Sequence, residues 1–392
     1  MEFEVPLRYQ SGVVLHVVLA VFALLSLGLL WWQFLVARRF PLHQRQADPD
    51  FAPGVTLLKP LKGCDTETHS CLRSWFEQRY AGPVQMLLGV ASPDDPVCGV
   101  ARDLLAEYPA VDAESVLCSQ SLGSNAKVSS LTQLEGRARH DIIVISDADV
   151  RVPPDLLANV VTPLRDPAVG LVNCFYRLGN PVNPAMRLEA IAVNADFWSQ
   201  VLQSRSLQPM DFALGAVMTT TRRHLAAIGG FASLLEFLAD DYQLGHQIAR
   251  TGARLELSTV VVECRSAPLP WREVWAHQVR WARTVRVCQP VPYFFSVLHN
   301  PTFWPLLWLA LRPSLLSGAV FAAGVVMRLW ITRQTLRRLT PEASASFFWL
   351  APIKDLFQLL LWALAFGGRH VLWRGQRLRV VRGGRLERES GL

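Results

Sequence analysis

Apolar residues gather at both ends of this 392-residue chain and recur in short bursts through its middle. Val13 to Val36 contains no Asp, Glu, Lys or Arg. At about 1.5 Å per helical residue, such a run crosses a hydrocarbon core of about 30 Å. Trp31 and Trp32 stand toward its end, as interfacial anchors do, and Arg38-Arg39 close it. The main basic pair follows the run instead of preceding it, unlike a cleaved signal peptide. Residues 1–40 are therefore predicted to hold an uncleaved membrane helix, N-terminus outside and Arg38 onward in the cytoplasm. Toward the other end, Phe294–Leu311, Leu315–Ile331 and Phe347–Phe366 are apolar again, separated by Arg312-Pro313 and by Arg333, Arg337 and Arg338. The third run contains Lys354 and Asp355, which are costly in lipid unless paired. Three full crossings would put the Arg-rich end outside, against the positive-inside rule. One segment is therefore predicted to be re-entrant or interfacial, and Phe347–Phe366 is assigned that role.

Between the ends the period changes. Val55–Lys59, Val84–Val90, Ser115–Cys118, Asp141–Ser146, Val169–Phe175 and Arg254–Val262 read as strands. Thr66–Tyr80, Pro96–Tyr108, Lys127–Ala138, Pro154–Leu164 and Tyr242–Arg250 read as helices between them. That alternation predicts an α/β domain with a mostly parallel sheet, whose ligands bind at the carboxyl ends of the strands. No G-x-G-x-x-G follows the first strand and no G-x-x-x-x-G-K-[ST] occurs, so dehydrogenase and P-loop readings lack their main support. The chain divides into an N-terminal helix (1–40), a cytoplasmic α/β domain (41–265), an amphipathic interfacial helix (266–293), C-terminal membrane helices (294–366) and a basic cytoplasmic tail (367–392).

Composition agrees. Hydrophobic residues make up 51% of the chain and charged ones 18%, against about 25% charged in an ordinary soluble domain. The net charge is +7, and residues 368–392, with seven Arg and two Glu, carry most of it. Basicity piled beside apolar segments points to anionic lipid headgroups, not nucleic acid. The seven cysteines are scattered with no C-x-x-C pair, which speaks against zinc and for thiols in a reducing compartment.

The sharpest chemical feature is the strand Ile142–Ser146 running into Asp147-Ala148-Asp149. Alternate side chains of an extended chain share a face, so both carboxylates can address one small volume. Hard oxygen ligands there suit Mg²⁺ or Mn²⁺ holding a diphosphate. Asp94-Asp95-Pro96 sits at another strand's carboxyl end. Asp95 can cap a helix starting at Pro96, leaving the other acid for a nucleotide base. Gly123-Ser124-Asn125-Ala126-Lys127 opens a helix with a glycine turn and a Lys, as a phosphate site does or as an ordinary loop does. Asp240-Asp241 starts another helix, where acids complement the dipole and one can also serve as a general base. In Trp271–Arg286, His277, Arg280 and Trp281 share a helical face. That helix reads as lying on a membrane while presenting Arg280 to a phosphate oxygen.

Taken in order, these elements resemble the ceramide glucosyltransferase family, within the family-21 and family-2-like membrane glycosyltransferases. The resemblance rests on Lys59-Pro60-Leu61-Lys62-Gly63, Asp94-Asp95-Pro96, the Gly-x-Asn-x-Lys ending at Lys127, Asp147-x-Asp149, Asp240-Asp241-Tyr242 with His277-x-x-Arg280-Trp281, and the tail Trp373–Arg379. It runs from about residue 55 to 385 and implies a GT-A (Rossmann-like) domain that binds a UDP-sugar and inverts the anomeric centre. It places Asp147 near the nucleotide and the metal, Asp149 on the metal, Lys127 on the nucleotide or diphosphate, and Asp241 as base. Arg280 and Trp281 would close the donor and acceptor sites beside the bilayer, with His277 and Asp240 at the acceptor or lid. Two positions depart from the family pattern. His277 stands where Gln or Arg is usual, and Ser92 replaces an acid, leaving nucleotide contact to Asp94 or Asp95.

The implied reaction is one in-line displacement, in which a lipid hydroxyl deprotonated by Asp241 attacks the anomeric carbon and the nucleoside diphosphate leaves. Ceramide or another hydroxylated membrane lipid is the expected acceptor. The bacterial relatives that glycosylate hopanoids with N-acetylglucosamine form the alternative, and the Arg/Ala/Leu-rich composition suggests a bacterial inner membrane. A polysaccharide synthase needs more spans than are legible here. A non-catalytic nucleotide-binding membrane protein would lack the paired acids or the base.

Overall fold

A computed structural model describes residues 7–340, 346–368, 370–373 and 376–388. The first six residues of the predicted N-terminal segment, Arg369, the Arg374-Gly375 step of the tail motif and Glu389 lie outside the described residues. The chain forms two compact units, each discontinuous in sequence. One combines Met1–Phe40, Arg187–Gln203 and Arg272–Gly368; the other combines Pro41–Met186, Ser204–Trp271 and Arg369–Leu392.

The second unit is α/β. Its main sheet contains β1 (Val55–Leu61), β2 (Val84–Val90), β3 (Asp112–Leu117), β4 (Ile142–Ser146), β5 (Val150–Arg151), β6 (Val169–Leu178), β7 (Val217–Thr221) and β8 (Arg254–Cys264), in the order β3-β2-β1-β4-β7-β6-β8-β5. Every residue of β1 is buried, as expected for a central strand covered on both faces. Leu57, Met86, Leu88, Val144 and Val172 join Leu72, Trp75, Leu104 and Val160 from the flanking helices in one core.

All six predicted strands are present, but the sheet is mixed. β1, β2, β3 and β4 run parallel, as do β6 and β8. β7 lies antiparallel to both β4 and β6, and β5 antiparallel to β8. Neither β7 nor β5 was legible: Val-Met-Thr-Thr-Thr offers little alternation, and β5 has two residues.

The Arg-rich end is more than a basic tail. β9 (His370–Trp373), β10 (Gln376–Val380) and β11 (Leu386–Arg388) form a separate antiparallel sheet in the order β11-β10-β9. Arginines alternate with apolar residues in Gln376–Val380, a period-2 pattern that favours a strand.

The first unit is helical. Among the described residues, three of its helices are long and apolar enough to cross a membrane: Val13–Arg39, Leu315–Leu339 and Phe348–Phe366. The predicted run Phe294–Leu311 is not one helix. It is broken into Pro290–Phe295, a 3-10 turn at Ser296–His299, and Phe303–Leu311. Pro301 forces Asn300 out of the helical region, to φ −82° and ψ 101°. Phe303–Leu311 is thus short for a crossing, whereas Phe348–Phe366, assigned the re-entrant or interfacial role, is long enough to cross by length and composition.

The charges in Phe348–Phe366 are paired. Arg328 donates to Asp196 Oδ1 and Oδ2, both at 2.8 Å, and to Asp355 at 2.9 and 2.7 Å. Lys354 bonds Asp196, and Thr302 donates to Asp355 at 2.7 Å. Two cations and two anions cancel, which lets an apolar helix carry them. Asp196 sits in a π-helical turn, Ala192–Phe197, inside the run from Pro184 to Arg205.

Candidate functional site

The site in the α/β unit begins where β4 ends. Lys59 of β1 is fully buried; its Nζ donates to the Asp147 carbonyl at 2.6 Å and to Ser146 Oγ at 3.3 Å, and lies 4.6 Å above the Trp75 ring. Burial pulls its pKa down to about 7, against the opposing pull of Asp147 and Asp149. The sequence alone shows Lys59 only as the first residue of Lys59-Pro60-Leu61-Lys62-Gly63, without a role. Its signal is a lone cation inside the mostly apolar run Val55–Leu61.

Asn125 caps the helix Ala126–Glu135, its side chain accepting from Val128 N at 3.1 Å. This cap fixes the first turn, from which Lys127 projects. Lys127 is 7% exposed, and its Nζ lies 2.8 Å from Asp147 Oδ1 and 3.0 Å from Asp240 Oδ2. Burial disfavours its charge, but Asp147 and Asp240 outweigh that and hold it firmly protonated.

Asp240 and Asp241 open the helix Asp240–Arg250, and Asp240 is 8% exposed. Gly245 lets this helix approach the neighbouring backbone, since a Cβ there would fall 2.3 Å from Ala213 N. Asp241 is half-buried and accepts from Tyr242 N at 2.8 Å. Burial and then the charge of Asp240 push its pKa up to about 6. Asp149 reaches solvent, yet protein crowds it enough that burial, followed by Asp147, raises its pKa to about 6 as well. The fold thus gathers Lys127, Asp147, Asp149, Asp240 and Asp241 from three separate stretches of chain, and adds Lys59.

Asp94 and Asp95 separate in role. Asp95 accepts from Val97 N at 3.0 Å and from Gly63 N at 2.9 and 3.2 Å, so it ties the end of β1 to the helix after β2. Asp94 is exposed, with its backbone N–H on Ser92 Oγ.

His277, Arg280 and Trp281 belong to the helical unit, on the single helix Trp271–Cys288. His277 Nδ1 lies 2.6 Å from Oε1 of Glu189, which also accepts from Gln278 Nε2 at 2.9 Å. The His277 and Trp281 rings are 5.1 Å apart, and Phe197 packs on Trp281 at 5.7 Å. Arg280 is half-buried, its carbonyl accepting from Thr284 Oγ1 at 2.8 Å. Glu189 was not legible as a partner, because nothing local links it to a residue 88 positions away.

Among the described residues no group of three or more His, Cys, Asp or Glu side chains gathers as a metal cage. The Asp147–Asp149 pair nevertheless fits Mg²⁺ or Mn²⁺ bound jointly with a diphosphate. Mg²⁺ in such sites takes one or two carboxylates and fills its shell with phosphate and water. Burial and then the charge of Asp147 raise the Asp149 pKa, and a divalent cation bound there would relieve the repulsion between the two acids.

Against known proteins, Glycosyl transferase family 21 matches residues 18–386. The ceramide glucosyltransferase of Candida albicans is 36% identical over 144 residues, 34% of this chain and 26% of that protein. The ceramide glucosyltransferase of Komagataella phaffii is 31% identical over 166 residues, 41% of this chain and 32% of that protein. These alignments therefore span about a third or less of the relatives' length. Among solved structures, the Pyrobaculum calidifontis mannosyltransferase PcManGT, in complex with GDP-Man and Mn²⁺, superposes with a TM-score of 0.53 at 21% identity. That match covers 88% of this chain and 99% of the other.

Proposed function

The chain belongs to glycosyl transferase family 21, and from that premise we propose that it transfers a hexose from a UDP-sugar to the hydroxyl of a membrane lipid, ceramide or a similar acceptor, with inversion at the anomeric carbon. Its α/β unit has a GT-A fold, and the three helices among the described residues that are long and apolar enough to cross a membrane support a membrane protein. The observation that carries the reading is the cluster in which Lys127 is held between Asp147 and Asp240 beside Asp241, whose pKa stands near 6.

In this reading Asp241 is the base. At neutral pH it is ionised, yet a pKa of about 6 leaves it a stronger base than an ordinary carboxylate. It takes the proton of the attacking lipid hydroxyl. Lys127 sets a fixed positive charge where negative charge grows on the departing diphosphate. Lys59 anchors the Asp147 backbone and so orients the turn that bears both carboxylates. Asp147 and Asp149 would hold Mg²⁺ or Mn²⁺, which when bound offsets the charge of the diphosphate. With Asp95 committed to Gly63 and Val97, Asp94 is the acid that contacts the nucleotide.

Arg280 and Trp281 close the donor and acceptor sites next to the bilayer, with His277 on the acceptor side. The segment 41–265 forms the catalytic domain and 266–293 the interfacial helix. The protein resides in a bacterial inner membrane with this domain facing the cytoplasm.

The test uses the full chain in lipid nanodiscs with Mg²⁺ or Mn²⁺, labelled UDP-glucose or UDP-N-acetylglucosamine, and ceramide. Mass spectrometry is expected to find a sugar-bearing lipid and stoichiometric UDP that Asp241→Asn does not make. Release of neither product with any donor and lipid pair refutes the reading.

A further inference from the structure

The loop that delivers Asp240 and Asp241 is held from outside. The N-cap of its helix is Ala239, which makes no side-chain cap. On one side the phosphate-type turn grips it. Asn125 N donates to the Leu235 carbonyl at 2.9 Å and Asn125 Nδ2 to the Phe237 carbonyl at 2.8 Å. Ser124 donates to Glu236 through its N–H at 3.2 Å and its hydroxyl at 2.6 Å.

On the other side stands the C-terminal sheet, 140 residues further along the chain at its Gln243–Gly383 contact. Leu386 N donates to the Glu236 carbonyl at 2.7 Å, and Leu238 N donates to the Gly384 carbonyl at 3.0 Å. Phe237 and Arg385 pair as an antiparallel bridge, with the Arg385 guanidinium 5.6 Å above the Phe237 ring. Gln243 Nε2 donates to the Gly383 carbonyl at 3.2 Å. These bonds depend on a particular turn. Gly383 and Gly384 sit at φ +80° and +81°, a region closed to β-branched residues. Val380 and Leu386, on either side of the turn, are 2% and 4% exposed, so the turn is anchored by apolar burial.

We propose that residues 383–386 brace the loop 236–241 and thereby position Asp240 and Asp241 for transfer, an inference that rests on reading Asp241 as the base. The brace fixes the backbone of Glu236 and Leu238, and the two acids follow within three residues. Ala239 supplies no cap, so the entry angle of the helix is set by these bonds. A displacement of about 1 Å in a reacting group costs about a hundredfold in rate. The C-terminal residues are in this sense positioning residues of the site, acting through the loop that they hold.

The experiment compares the full chain with Gly383→Val, Leu386→Asp and Gly383→Asn in nanodiscs. Three readouts are taken: amide hydrogen exchange over residues 236–243, UDP affinity, and kcat. Gly383 is exposed, and a Cβ there meets nothing within 4 Å, so backbone conformation alone decides what the position accepts. Valine cannot adopt the turn, whereas asparagine tolerates positive φ. Gly383→Val and Leu386→Asp are expected to speed exchange at 236–243 and to lower kcat about tenfold to a hundredfold, with UDP affinity unchanged. Gly383→Asn is expected to keep both exchange protection and kcat. Unchanged exchange in Gly383→Val and Leu386→Asp overturns the brace, and so does faster exchange with unchanged kcat. If the unmodified chain turns over no UDP-sugar, the reading of Asp241 as base fails. The exchange comparison then decides alone whether the C-terminal turn holds Asp240 and Asp241.

Discussion

Oε1 of Glu189, on a side chain only 4% exposed, lies 2.6 Å from Nδ1 of His277. The two atoms are within hydrogen-bond distance, and the contact fixes the orientation of the imidazole ring. In the proposed function, the ring held in this way faces the acceptor lipid. Glu189→Gln replaces the carboxylate that orients His277 with an amide, and the KM for lipid is expected to rise several-fold while UDP affinity holds. Glu189→Ala leaves His277 and Gln278 without their partner and is expected to cost about 1–3 kcal/mol of stability. Kinetics with varied lipid, alongside thermal unfolding, checks both. An unaltered lipid KM in Glu189→Gln would count against the acceptor role of His277.

With Asp241 as the proposed base, turnover is expected to depend on pH. Its pKa stands near 6, raised by burial and by Asp240. Turnover is expected to fall as pH drops through 6, and Asp241→Asn is expected to lose about 10²–10⁴-fold in kcat while still binding UDP-sugar. The stability effect has the opposite sense. A raised carboxyl pKa means that the folded state binds more protons between its ordinary 3.8 and 6, so stability falls as pH rises across that window. Asp241→Asn should therefore match the unmodified protein at the acid end and exceed it above pH 6. A pH-independent kcat between pH 5 and 8 would remove Asp241 from the mechanism.

Lys127 is the shared cation of the site. Lys127→Met leaves Asp240 buried beside Asp241 with no opposite charge at contact. It is expected to cost about 3–5 kcal/mol and to weaken UDP binding. Adding Asp240→Asn should recover most of the stability but not the affinity, because the neutral pair still offers nothing to a diphosphate. Thermal unfolding and UDP titration of single and double variants separate the two effects. Full affinity in the double variant contradicts a phosphate role for Lys127.

The two acids of Asp94-Asp95-Pro96 should also part company. Asp95→Ala loses the bonds to Val97 and Gly63 and is expected to cost about 1 kcal/mol. Asp94→Ala should leave stability unchanged and reduce UDP affinity. The reverse outcome would assign the nucleotide contact to Asp95.

In the helical unit, Arg328→Met strips Asp196 and Asp355 of their bidentate partner and leaves only Lys354 between them. Breaking such a buried pair costs about 3–5 kcal/mol. Thermal unfolding in detergent is expected to show that loss, and the triple change Arg328→Met with Asp196→Asn and Asp355→Asn to recover part of it. Unchanged unfolding of Arg328→Met would mean that the network contributes nothing to the unit.

Local patterning made the membrane helix at Val13–Arg39, the six main strands and the Asp147-x-Asp149 turn legible. Burial on both faces writes a continuous apolar run, and a strand end followed by alternate acids is visible without its neighbours. The break at Pro301 was also written in the chain, but the apolar count across Phe294–Leu311 hid it. The reversed strand β7 was hidden for a different reason. Strand direction depends on which neighbours a segment meets, and Val217–Thr221 meets β4 and β6 only after the chain has passed through the run from Pro184 to Arg205.

The residue types of the site, their order and the membrane character of the chain ends follow from the amino-acid sequence alone, because spacing and hydropathy are local properties. Partnership was decided by the tertiary structure: Lys127 with Asp240, Glu189 with His277, Asp196 with Arg328, and the C-terminal turn with the loop before Asp240. Each joins groups separated by tens to hundreds of residues. The free energy of such a contact depends on burial and distance, which exist only once the chain has folded.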